Sequence, residues 1–123
     1  MNSSCVTVDF VAKGDVPEEF QLVLVEVGPL HAPYEEGLRR IQDRLFGCVE
    51  AVLNGEVGRK FPESIGKVVV IKLECFNSPV QELQAFFERF ATGIFLSEDY
   101  KAALHNQAYA SGIVFRQSFK TTS

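Results

Sequence analysis

The sequence predicts an α+β domain: a two-layer mixed sheet of about four strands, ordered β-β-α-β-α-(α)-β, with helices packed on it. Three observations predict it. Two short apolar stretches near the start are separated by turn residues. A long segment then carries apolar residues every three or four positions, followed by a nearly continuous apolar run. A second helical segment and a final alternating stretch close the chain.

The first strand is Val6-Thr7-Val8-Asp9-Phe10-Val11, with Val6, Val8 and Phe10 on one face. Lys13-Gly14-Asp15-Val16-Pro17-Glu18-Glu19 is turn chemistry. Gln21-Leu22-Val23-Leu24-Val25-Glu26-Val27 is the second strand, antiparallel to the first and closed by Gly28-Pro29. The clearest helix starts near Pro33 or Tyr34 and runs to Leu53, its stripe made of Leu38, Ile41, Leu45, Cys48, Val49, Val52 and Leu53. Glu35 with Arg39, and Glu36 with Arg40, stand in the favourable i,i+4 order on its polar side. Asn54-Gly55 is its stop.

Residues 67–76 begin apolar on both faces and then alternate, as a central strand does. Strand, helix, strand is a crossover, so this strand should run parallel to the second with a right-handed connection. Ser78-Pro79-Val80-Gln81 reads as a capping box, with Ser at N-cap and Pro at N1. Leu83, Phe86, Phe87, Phe90 and Ile94 are that helix's stripe, and Gly93 marks its expected end. Residues 97–104 suit a short third helix, and Ile113, Phe115 and Phe119 a last, edge strand.

With 123 residues and no linker, residues 1–123 form a single domain. A net charge of −4 argues against nucleic acid and against an anionic membrane surface as partners. The start of the chain lacks a basic n-region and an apolar h-region, and no run is long enough to span a bilayer. Cys5, Cys48 and Cys75 form no CxxC pair, which fits reduced thiols and a cytoplasmic location.

Leu38-Arg39-Arg40-Ile41-Gln42-Asp43-Arg44-Leu45, then Val52-Leu53-Asn54-Gly55-Glu56 and Phe61-Pro62, resemble a family of short bacterial proteins of unknown function. The likeness covers residues 20–96. It implies a bacterial origin and a strand-strand-helix-strand-helix core, and it implies no activity. The acidic-aromatic turn that such families often carry after the second strand is replaced here by Gly28-Pro29-Leu30-His31.

Motifs for phosphate or metal are absent, and no cofactor is expected. Gly55-Glu56-Val57-Gly58 has the spacing of the GxxG loop of KH domains but reads better as a helix cap and turn. The paired carboxylates at Glu18-Glu19, Glu35-Glu36 and Glu98-Asp99 serve a turn and two helix starts. Cys75, ending the central strand, is the best placed of the thiols as a nucleophile, although a buried, inert thiol is the better reading of it.

Two clusters remain. His31, Tyr34, Cys75 and Ser78 would border the carboxyl edge of the sheet, where such folds bind small molecules or anions. Phe86, Phe87, Phe90 and Phe95 form an aromatic group too wide for a narrow stripe, which offers apolar surface to a partner subunit unless a broad core absorbs it. No catalytic set emerges. The preferred expectation is a non-catalytic protein-interaction module that forms a homodimer; the alternative is a small-molecule binder or enzyme at the sheet's carboxyl edge.

Overall fold

In the computed structural model, residues 9–27, 33–77, 79–107 and 109–120 are described, the side chain of Phe10 excepted. Strand β1 (Phe10–Lys13) is followed by β2 (Glu19–Glu26), then helices α1 (Glu35–Leu53) and α2 (Glu56–Lys60) and a 3-10 turn (Pro62–Ser64). Strand β3 (Val68–Phe76), helices α3 (Val80–Leu96) and α4 (Glu98–Asn106), and strand β4 (Gly112–Lys120) complete the order. The α+β architecture is the one the sequence predicts.

The four strands lie side by side as β1-β2-β3-β4. β1 runs antiparallel to β2, with Val11 opposite Leu22, whereas β2, β3 and β4 are mutually parallel, with Leu22, Ile71 and Phe115 in one row. Gly14 allows the hairpin to close: a Cβ there would stand 2.1 Å from the Cβ of Glu19, so only glycine fits. The strand expected over residues 6–11 is seen at Phe10–Lys13; its residues before Asp9 lie outside the described part.

Period-two alternation decides which strand residues meet the helices. Phe20, Leu22 and Leu24 of β2, and Val69, Ile71, Leu73 and Cys75 of β3, join Ile113 in one apolar cluster. Ile41, Leu45, Cys48, Val49 and Val52 of α1 and Leu83, Phe86, Phe87 and Phe90 of α3 belong to the same cluster. Both helices therefore cover one face. Leu22, Leu24, Ile41, Leu45, Ile71, Leu73 and Leu83 are fully enclosed, each contributing about 1.5–3 kcal/mol. Phe115 forms the aromatic hub, with Phe87, Phe90 and Phe95 at ring-centroid distances of 6.2, 5.5 and 5.7 Å.

On the opposite face, the guanidinium of Arg116 on β4 reaches Glu19 on β2 across β3, and its Nη1 also reaches Asp15. Glu74 of β3 takes ion pairs from Lys72 and Lys120.

Four local expectations are corrected. Residues after Gly55, read as a cap and turn, form the short helix α2. Helix α3 has Pro79 at its N-cap position, with no side-chain cap, and Ser78 lies outside the described residues. It also passes through Gly93 to Leu96, because Gly93 keeps a negative φ and Ser97 makes the break instead. The Ser97 hydroxyl accepts from the Tyr100 amide at 3.3 Å and so caps α4. Finally, Arg40 pairs with Glu26 of β2 rather than with Glu36. A buried carboxylate needs compensation far more than an exposed one does.

Candidate functional site

Three surfaces have chemistry that the core does not consume. The first is the carboxyl edge of the parallel strands. Glu26, which ends β2, is only 5% exposed and carries a charge into the core layer. Helix α1 supplies two arginines one turn apart to meet it: Arg40 pairs with its Oε1, and Arg44 with its Oε2 at 2.7 Å. Arg44 also donates to the Val25 carbonyl at 3.2 Å and reaches Asp9 at 2.8 Å. Asp9 in turn accepts from the Val25 amide at 2.7 Å. Burial alone would raise the Asp9 pKa, but the Val25 amide and the Arg44 guanidinium hold it below the usual carboxylate range. The group is closed on itself, each charge answered by another. It clamps α1 to the hairpin.

Cys75 stands opposite Glu26 in the adjacent strand. Its thiol is fully enclosed, with the Gln117 amide nitrogen 3.9 Å from the sulfur. Burial, reinforced by the charge of Glu26, pushes it up to about 11 despite that hydrogen bond. Burial likewise pushes Cys48, inside α1's apolar stripe, up to about 12. Both thiols are thereby held in the protonated form at neutral pH. Tyr34, half-buried, sits at the N-cap position of α1 and makes no side-chain cap. His31 and Ser78 lie outside the described residues, so of the four candidates at this edge the structure locates only Tyr34 and Cys75. His105 is exposed in the last turn of α4. No cluster of three or more His, Cys, Asp or Glu able to hold a metal occurs among the described residues.

The Gly55 and Gly58 pair has a structural explanation. A Cβ on either would strike the ring of Tyr109, at 2.5 and 2.8 Å, and Gly55 holds φ +88°. The two glycines seat that ring, and the Tyr109 carbonyl accepts from the Gly66 amide at 2.7 Å.

The second surface is the outer flank of α3 beside β4. Phe86, Phe87 and Phe90 are buried in the layer between sheet and helices, so their area is spent inside. Phe95 is 43% exposed and leans on Phe115 and on Tyr100. Leu96 beside it is exposed, and β4 has a strand neighbour on one side only among the described residues.

The third is a groove of about 490 Å³ between α1 and α3, lined by Gln42 and Phe46 from one side and Phe86, Arg89, Phe90 and Gly93 from the other. Phe46 is 41% exposed and stacks edge-on against Phe90 at 4.9 Å, so the aromatic core surfaces here. The groove continues toward the helix N-termini past Leu38, Glu82 and Ala85, with Arg89 bordering both parts. Sequence reasoning missed Phe46 because it falls outside α1's main stripe. The signal was present: Leu38, Gln42 and Phe46 follow one another at four-residue steps and form a flank of their own.

No family model, no curated protein and no solved structure matches this chain. Among the described residues, no helix is long and apolar enough to cross a membrane.

Proposed function

We propose that this protein is a non-catalytic protein-interaction module that works as a homodimer. The observation that carries the reading is Phe46, a large aromatic ring exposed in a groove whose floor is continuous with the core. An exposed ring at the mouth of an apolar groove gains most from being covered by another protein surface. The chemistry at the carboxyl edge points the same way. Its charges neutralise one another, and its thiol is held protonated.

In this reading the α1–α3 groove joins the two copies, and the opposite flank, with Phe95 and the edge of β4 that has no strand neighbour among the described residues, receives a second protein. A solitary edge strand recruits partners by adding a strand. The buried, unpaired thiols of Cys48 and Cys75 support a reducing compartment, the cytoplasm.

Native mass spectrometry and light scattering test this directly. The expected species is a dimer without added mass, converted to a folded monomer by Phe46→Glu. A wild-type chain that stays monomeric at high micromolar concentration overturns the homodimer. A discrete bound small molecule overturns the non-catalytic, interaction-only reading.

A further inference from the structure

We infer that the second copy docks through its own α3, antiparallel to the first, with Glu82 of each protomer paired to Arg89 of the other; this rests on the homodimer reading above. Glu82, Ala85, Arg89 and Gly93 recur at three- and four-residue steps, so they form one stripe on the flank of α3 that faces α1. All four line the groove. Neither Glu82 nor Arg89 forms an ion pair among the described residues, although the chain answers its more buried charges closely. The acid and the base stand two turns apart, at the right separation to satisfy a copy of themselves but not each other.

A two-fold axis passing between Ala85 and Phe86 sets position 82 opposite position 89 of the partner subunit, and 89 opposite 82. Such reciprocity is what an isologous interface requires. At the crossing point the small, exposed Ala85 lets the helices approach, while Phe86 beside it stays in the core. Gly93 lies further along the stripe and presents bare backbone: a Cβ there would touch nothing within 4 Å inside the chain. Nothing internal calls for glycine at this helical position, whereas a second helix passing close by does. The charge pattern also addresses the chain's net charge of −4, which makes two copies repel unless local charges complement each other.

The test is a charge-reversal cycle read by native mass spectrometry and sedimentation, with circular dichroism to confirm that each exposed-site variant is folded. Glu82→Arg and Arg89→Glu should each weaken dimerisation by about tenfold or more, because each places two like-charged pairs across the axis. The double variant Glu82→Arg/Arg89→Glu should restore the wild-type dimer to within about threefold. A wild-type dimer left intact by both single reversals, or a double variant no better than the singles, overturns the α3 pairing and leaves the homodimer to another surface. A monomeric wild type overturns both readings.

Discussion

Arg116 on β4 grips Glu19 on β2 with two parallel contacts, Nη1 to Oε1 at 3.0 Å and Nη2 to Oε2 at 2.7 Å, passing over the strand between them. The register explains how. Val68 and Val70 present β3's small side chains on that face, opposite Glu19 and Gln21 of β2 and Gly112 and Val114 of β4. A long planar guanidinium can lie across such a row and reach a carboxylate two strands away. The contact joins segments 97 positions apart and fastens the last strand to the N-terminal hairpin.

That relationship has a pH signature. The hydrogen bond from Arg116 is the main reason Glu19 titrates below its usual value of 4.5. A carboxylate with a lowered folded-state pKa stabilises the fold above its unfolded pKa and loses that contribution as pH falls through the folded value. Glu19→Gln should therefore lower stability at pH 7 and flatten the acid limb, so that variant and wild type converge as pH falls below about 4.5. Urea denaturation at pH 7, 5 and 3 checks this; a steep acid limb unchanged in Glu19→Gln refutes it.

The two arginines that meet Glu26 should differ sharply in importance. Arg44 is mostly enclosed and serves Glu26, Asp9 and the Val25 carbonyl, whereas the Arg40 side chain is 55% exposed and, among the described residues, serves Glu26 alone. Arg44→Ala should cost about 3 kcal/mol, since it leaves a buried carboxylate half-answered. Arg40→Ala should cost about 1 kcal/mol or less. Equal losses in chemical denaturation would show that the clamp does not divide as drawn.

Two glycines should respond in opposite directions to alanine. Gly93→Ala adds a methyl into open space within a helix and should stabilise the folded monomer by about 0.5–1 kcal/mol. If α3 lies against its copy, the same change weakens the dimer. Gly55→Ala should destabilise instead, because φ is +88° and the new Cβ would stand 2.5 Å from Tyr109. Thermal melts of the two variants at low and high concentration separate fold from association.

The thiols of Cys48 and Cys75 should be silent. With pKa values near 12 and 11 and no exposure, both should react with an aromatic disulfide reagent only as fast as the chain opens. In a Cys5→Ser background at pH 8, labelling should be slow in buffer and rapid in denaturant. Fast labelling of the folded protein at Cys75 would revive a reactive site at the carboxyl edge.

Much of the fold was legible because it rests on periodicity. The three-and-four spacing from Leu38 to Leu53 is a helix under any packing, since those positions alone can share a face. The doubly apolar opening of Val68, Val69 and Val70 marks a strand flanked on both sides. Ends were less legible. Gly93 reads as a stop in isolation, but a glycine terminates a helix only where the backbone turns left-handed, and here it does not.

The candidate surfaces were legible only in part. Aromatic enrichment in α3 could be read directly, yet which rings turn outward depends on what covers them. Phe87 and Phe90 are enclosed against Phe115 from a strand some 25 positions later, while Phe95, which also touches Phe115 and Tyr100, stays half exposed.

The sequence alone thus determined the types of the longer elements, the central place of residues 68–76 and the main apolar faces, since these follow from local spacing and side-chain size. Only the tertiary structure decided that Arg40 and Arg44 turn to Glu26, that Arg116 spans the sheet to Glu19, and that Phe46 is left at an open groove. Charge partners and exposure are set by which elements lie adjacent. Adjacency depends on strand order and helix placement, which no single segment encodes.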